Sequence, residues 1–271
     1  MFWHTVAMAT ARDRVRAELV REIKDEARRQ LATTGADGLS MRAVARELGM
    51  VSSALYRYFA SRDELLTALI IDAYDALGAA AEAADPARDD ARGRDRAQGP
   101  DHAQGPDHAQ RPDHAQGPHP VGRGDDALER WRAVCRAVRA WARAHPHEYA
   151  LLYGSPVPGY RAPQDTIAPA ARVPLVLLGV LGDGWAAGRL APVFEPPYPS
   201  PPLAAQVERL AASLDLELPA PVLARALIAW TQLFGMVSFE LFGQLVGSVD
   251  PSDDFFEYAI GEMAALVGLS G

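Results

Sequence analysis

Val15, Leu19, Ile23, Ala27 and Leu31 recur at every fourth position with charged residues between them, and Gly35 follows the run. That spacing predicts an amphipathic helix. Met41, Val44, Ala45 and Leu48 fall at i, i+3, i+4 and i+7, which predicts a short second helix over 40–48, stopped by Gly49. A turn of about three residues leads to a third helix, 52–59, with Leu55 and Phe59 turned inward. Ser61 and Glu64 are spaced as a capping box opening a fourth, whose inward residues are Leu65, Leu66, Leu69 and Ile70. Further on, Trp131, Val134, Cys135, Val138, Trp141 and Ala142 form a stripe opposite Arg132, Arg136, Arg139 and Arg143. The arginine row reads as a solvated face, with DNA contact as the alternative. Residues 166–188 read as helix with Pro169 and Pro174 near its start, and a proline-rich connector, 192–202, follows. Leu223, Leu227, Trp230, Phe234, Val237, Leu241 and Leu245 step by three and four, while Ile228, Leu233, Met236, Phe239 and Phe242 occupy other sides. A helix apolar on so many sides must be covered on most of them. Residues 255–267 form a last amphipathic helix. With no convincing strand alternation, the expected fold class is all-α.

Between Asp85 and Asp126 the chain changes character. A degenerate six-residue repeat, Ala97-Gln98-Gly99-Pro100-Asp101-His102 and its copies, is poor in aliphatic side chains. Such a segment has too little apolar area to offset its ordering entropy, so a disordered linker is expected over 83–126. His102, His108, His114 and His119 raise the alternative of weak Ni or Zn binding, but nothing on a flexible chain fixes the ligand geometry. The expected organisation is a flexible tail over 1–11, a head over 12–82, the linker, and a helical body over 127–271.

Of the 271 residues, 49% are hydrophobic and 23% charged, ordinary values for soluble globular proteins. No run of about 18 uninterrupted apolar residues suggests a membrane span. The first ten residues lack a basic start followed by a long apolar run, so no signal peptide is expected and a cytoplasmic location is. The single Cys135 cannot form an internal disulfide or supply a cysteine zinc motif. Residues 1–65 carry 11 Lys or Arg against 9 Asp or Glu, while residues 66–271 carry 16 against 26. This balance permits nucleic-acid contact at the head and opposes it elsewhere.

The short helices 40–48 and 52–59 have the spacing of a helix-turn-helix, in which the second helix enters the DNA major groove. Ser52, Ser53, Ala54, Tyr56, Arg57 and Tyr58 lie outside the Leu55–Phe59 face. Small residues at its start permit close approach, Ala54 suits a thymine methyl, and the arginine and tyrosines can reach bases or phosphates. For Tyr56, packing and DNA contact are equally open.

The run Gly38-Leu39-Ser40-Met41-Arg42-Ala43-Val44-Ala45-Arg46-Glu47-Leu48-Gly49-Met50, followed by Leu55-Tyr56-Arg57-Tyr58-Phe59-Ala60-Ser61-Arg62-Asp63-Glu64-Leu65-Leu66, resembles the head of TetR/AcrR-type repressors. The match covers roughly 11–74. Residues 149–160 and 230–243 resemble the ligand-binding part of the WHG-domain subgroup. The resemblance implies a homodimer that binds a palindromic operator through its two heads and holds a small-molecule effector in its bodies. Ser40 and Arg42 match phosphate-contacting positions, and Ser52, Ser53, Ala54, Tyr56 and Arg57 match the reading helix. Tyr58 stands where many members have His. Arg62 stands where many have Lys, at a helix N-terminus suited to phosphate. Val51 occupies a position commonly Ser or Thr, so the cap of the reading helix is expected at Ser52. The family usually has a short connection where this chain carries the repeat.

Pairing of the last two helices, about 221–247 and 253–269, with their copies would make a four-helix dimer interface; a core helix of a monomer is the alternative. Candidate effector contacts are Trp141, His145, Tyr149, Tyr153, Trp185, Phe234 and Glu240, aromatic walls with a few polar groups, weighed against ordinary core packing. His145 and His147 are two apart and would face different ways on one helix, so neither a metal site nor an acid–base pair is expected there. Gly179, Gly182 and Gly184 lack the preceding strand of a phosphate loop. No catalytic residues, metal ligands or cofactor are assigned. Two other classes stay open: a helical enzyme, which would need converging acid, base or nucleophile groups, and a binding module without operator recognition.

Overall fold

The computed structural model describes residues 11–85, 124–191 and 199–269. The expected N-terminal tail, nearly all of the repeat linker with its four histidines, and most of the proline-rich connector lie outside the described residues. Within them every regular element is helical: α1 (Ala11–Thr34), α2 (Met41–Glu47), α3 (Ser52–Leu55), α4 (Arg62–Ala83), α5 (Gly124–Ala144), α6 (Pro146–Tyr153), α7 (Ile167–Ala186), α8 (Pro201–Ser213), α9 (Ala220–Leu241) and α10 (Asp253–Leu266). A 3-10 turn, Gln164–Thr166, precedes α7.

The described chain divides into two compact units, one of 11–77 and 142–171, the other of 78–85, 124–141, 172–191 and 199–269. This differs from the expected linear split at the repeat. The first unit takes α6 and the segment after it, because Leu151, Leu152, Val157 and Tyr160 pack onto the core of the head.

In the first unit Ile23, Ala27 and Leu31 of α1, Met41, Val44 and Ala45 of α2, Leu55, Phe59 and the inward face of α4 form one buried cluster. These are the positions the helical spacing singles out. Gly35 and Gly49 adopt φ of +70° and +65°, so a glycine after each helix lets the chain reverse without a Cβ clash. Ser61 Oγ accepts from Glu64 N at 3.0 Å, and the Glu64 carboxylate turns back to accept from Ala60 N at 2.6 Å. A polar hub ties three helices together. Asp72 of α4 accepts from Lys24 and Arg28 of α1 at 2.8 and 2.6 Å, and Arg28 also meets Glu148 of α6 at 3.2 Å.

In the second unit the α5 stripe is buried, with Trp131, Val134, Cys135 and Val138 at most 1% exposed. Burial pushes the Cys135 thiol well above its ordinary pKa, which leaves it unreactive. Trp131 Nε1 donates to Ile260 O of α10 at 3.2 Å. The arginine row is not simply a solvated face. Arg136 forms a bidentate pair with Glu257, and Arg139, nearly buried, holds Glu240 at 2.7 and 2.8 Å and Asp253 at 2.8 Å. Residues 164–186 and α9 are long and apolar enough to span a membrane by composition, with mean hydropathies of 1.4 and 1.5. Both helices put residues into the core of this unit instead, including Val176, Val180 and Leu181 from one and Val222, Leu223 and Val237 from the other. Helix α9 ends at Leu241, short of the expected 247, and Gly243 follows at φ +76°.

Candidate nucleic-acid interface

Helix α2 is seated by burial of Met41, Val44 and Ala45, and its first turn is capped by Ser40, whose Oγ accepts from Ala43 N at 3.4 Å. Ser40 N in turn donates to Gln30 Oε1 of α1 at 3.2 Å. The turn closes with Met50 N donating to Ala45 O at 2.8 Å. Helix α3 is shorter than the spacing predicts, one turn over Ser52–Leu55. The chain continues through the tighter bonds of Arg57 N to Ala54 O and Tyr58 N to Leu55 O. Val51 is its N-cap and contributes no side-chain hydrogen bond, so the expected shift of the cap to Ser52 does not occur. The Val side chain has no oxygen to offer, and Ala54 N donates instead to the Val51 backbone carbonyl at 2.9 Å.

Leu55, fully buried, and Phe59 anchor the segment from beneath. The side chains assigned to reading are thereby turned out: Ser53, Tyr56 and Arg57 are exposed, and Ser52, Ala54 and Tyr58 half-buried. Tyr56 is 47% exposed. Arg42 is exposed on α2. Tyr58 packs on the head core with the Arg16 guanidinium over its ring, 5.2 Å from the centroid.

Arg62 has a different immediate role from the one expected. Its Nε donates to Leu39 O at 3.1 Å, and its Nη2 to Ala36 O at 2.7 Å and Asp37 O at 3.4 Å. The guanidinium fastens the α1–α2 loop, and most of its donors are committed before any phosphate arrives. Arg62→Ala should therefore lower the stability of the head by about 1.5–3 kcal/mol, the range for hydrogen bonds to a charged group. Chemical denaturation reports this loss; an unchanged midpoint would show the loop to be held without it.

The effector candidates fall into two sets. Tyr149, fully buried, and Tyr153 belong to the first unit, where the Tyr153 ring lies tilted against Tyr149 at 5.0 Å and edge-on to Tyr74 at 6.1 Å. Burial and the neighbouring tyrosines raise the Tyr153 phenol far above its ordinary pKa, so it stays neutral. His145, also of this unit, is exposed at the N-cap of α6 without a side-chain capping bond. Trp141, Trp185, Phe234 and Glu240 belong to the second unit. Trp141 and Phe234 are each 7% exposed, Trp185 is half-buried, and the Glu240 carboxylate is held by Arg139. No group of three His, Cys, Asp or Glu residues able to hold a metal occurs among the described residues. The signal that sequence reading missed is the Arg139–Glu240 pair, whose members lie 101 residues apart.

A short helix seated by its partner, a glycine turn and an outward-facing reading segment define a helix-turn-helix DNA-binding head, here joined to a helical body. Residues 23–69 match the family model of bacterial regulatory proteins, tetR family, and residues 131–263 that of the tetracyclin repressor-like C-terminal domain. The chain is 38% identical over 237 residues to the HTH-type transcriptional regulator Rv1816 of Mycobacterium tuberculosis, covering 86% of this chain and 83% of that one. The regulator Mb1846 of Mycobacterium bovis matches equally. Among solved structures, the regulatory protein SCO4313 superposes with a TM-score of 0.67 at 33% identity, over 94% of this chain and all of that one. The chain belongs to the TetR family of transcriptional regulators, which are DNA-binding proteins and not enzymes.

Proposed function

We propose that this protein is a cytoplasmic repressor that binds a palindromic operator as a homodimer and is released by a small-molecule effector. The observation that carries the reading is the outward presentation of Ser53, Tyr56 and Arg57 over a buried Leu55–Phe59 anchor. Ser40 and Arg42 of α2, with Ser52, Ala54 and Tyr58, complete the contact set; the remaining donor capacity of Arg62 is secondary. A dimer places two such segments in successive major grooves about 34 Å apart. Its interface is the exposed apolar side of α9, where Ile228 and Phe239 are each 55% exposed and Phe242 45%, joined by Tyr258 of α10 at 66%.

The effector is a small, largely apolar molecule taken up in the second unit against Trp141, Trp185 and Phe234. Glu240 of the same unit, held by Arg139, acts as a positioning group. Effector binding favours a dimer whose reading segments no longer match the groove spacing, which is a population shift. Complete reversal of the equilibrium requires roughly 10⁴-fold differential affinity between the two forms.

Selection of duplexes from a random-sequence pool by the purified protein tests the reading. A palindromic consensus is expected, and Arg57→Ala should relax the preference at one position of each half-site by about 1–3 kcal/mol. Retention of no duplex, or of all sequences equally, would overturn the proposal.

A further inference from the structure

Arg12 and Arg16 lie in the first turns of α1, both exposed. With Ala11, Val15, Arg57 and Tyr58 they line an open hollow of about 620 Å³. Three arginines line this hollow, and among the described residues no Asp or Glu does. Asp13, between Arg12 and Arg16 in sequence, lines the neighbouring groove with Asp25, Asp72, Arg21 and Lys24, and Arg16 borders both. Elsewhere in the head Arg21, Arg28, Arg29 and Arg46 each meet a carboxylate, while Arg14 and Arg42 form no ion pair among the described residues. Among the described residues none of Arg12, Arg16 and Arg57 forms an ion pair. Like charges gathered around one concavity repel one another and focus a positive potential there, an arrangement that suits a polyanion.

The position of Arg16 sharpens the point. Its guanidinium sits over the Tyr58 ring at 5.2 Å, a cation–π contact that holds the charge at the rim of the hollow. A cation–π contact does not use up the N–H donors of the guanidinium, which stay available to an oxygen ligand. The contrast with Arg62, whose donors are spent on loop carbonyls, is direct. Arg57 comes from the reading segment itself, so the hollow is continuous with the surface assigned to DNA.

We propose that Arg12 and Arg16 of α1 form a phosphodiester-backbone site, bordered by the base-reading Arg57, through which α1 grips the duplex beside the stretch read by α3, with Tyr58 as the platform beneath Arg16. The inference rests on the DNA-binding reading above and adds a contact outside the helix-turn-helix. Phosphate contacts position a protein without carrying sequence information. The site therefore sets affinity and salt dependence while leaving the consensus alone.

The test measures binding against salt concentration for the full chain, using a duplex that the wild-type protein recovers from a random-sequence pool. Each neutralised phosphate contributes about 0.9 to the slope of log affinity against log salt. Arg12→Ala and Arg16→Ala should each lower the slope per subunit by about 0.9, and the double variant by about 1.8, with the selected consensus unchanged. Tyr58→Leu, which removes the ring under the Arg16 guanidinium, should reproduce the Arg16→Ala slope. Far-UV circular dichroism and thermal unfolding of Arg12→Ala and Arg16→Ala should match wild type, because both side chains are exposed. A double variant with the wild-type slope overturns the inference and leaves the proposed function standing. So does a double variant that shifts the consensus at constant slope. A wild-type protein that retains no duplex overturns the proposed function, and this inference with it.

Discussion

Arg130→Ala is expected to destabilise the second unit by about 3–5 kcal/mol, the cost of stranding one member of a buried ion pair. Arg130 of α5 donates from Nε to Asp85 Oδ1 at 2.6 Å and from Nη2 to Asp85 Oδ2 at 3.0 Å. The side chains of the pair are only 9% and 2% exposed. Burial alone would lower the Arg130 pKa, but its hydrogen bonds to Asp85 and Asp183 raise it above the ordinary guanidinium value. Truncation leaves the Asp85 carboxylate without its cation in a place water does not reach. The third partner, Asp183 at 2.8 Å, is 63% exposed, and an exposed pair contributes about 0–1 kcal/mol. Asp183→Ala should therefore have little effect. A fold is stabilised by about 5–15 kcal/mol in all, so loss of the Arg130–Asp85 pair removes a large share. The four described tryptophans, Trp131, Trp141, Trp185 and Trp230, all lie in this unit. Tryptophan fluorescence during urea unfolding thus reports on the right part of the chain. Replacing both partners, Arg130→Met with Asp85→Leu, should recover much of the loss, since an apolar pair strands no charge. An Arg130→Ala midpoint within about 0.5 kcal/mol of wild type, the range of an ordinary surface substitution, would show that Asp85 finds another partner or is hydrated.

The same contrast between local and long-range interactions explains which features were legible in the sequence. Helices α1, α2 and α4 follow from apolar spacing, and the Ser61–Glu64 cap from a four-residue pattern, because each is decided within a turn or two of chain. The reading segment was recognisable because Leu55 and Phe59 fix its inward side and so expose the rest. Its cap was not, because the expected move to Ser52 presumed that a side chain must supply it. Helix α8 was missed where Pro201 and Pro202 looked like breakers. Proline is tolerated in the first turn of a helix, where its missing N–H has no intrahelical partner to lose. The Arg62 contacts span 23 to 26 residues, and the pairing of Arg139 with Glu240 spans 101; no periodicity encodes either. The packing of Leu151 and Leu152 onto the head is likewise a property of the folded chain. The candidate effector residues were chosen for their chemistry alone, so nothing in that choice could foresee that they divide between two units.

Phe239→Glu is expected to convert the proposed dimer to a monomer and to weaken operator binding by about 10²–10⁴-fold, the advantage that joining two half-site contacts supplies. Ile228, Gly235, Phe239 and Phe242 fall at spacings of seven, four and three along α9 and share one exposed side of that helix. A Cβ built on Gly235 meets nothing within 4 Å, so this side is open in the single chain. Full burial of one large apolar side chain is worth about 1.5–3 kcal/mol. A two-fold interface uses each residue twice, once from each copy, so a single substitution removes two phenylalanines and introduces two carboxylates that must be desolvated. Because Phe239 is exposed in the single chain, the variant should fold normally, and circular dichroism separates this outcome from general destabilisation. Sedimentation velocity reads the mass directly, and titration with a half-site duplex should give equal affinity for variant and wild type. A dimeric Phe239→Glu protein would place the interface elsewhere, and a wild-type monomer that still selects a palindrome would remove the basis for two-headed binding.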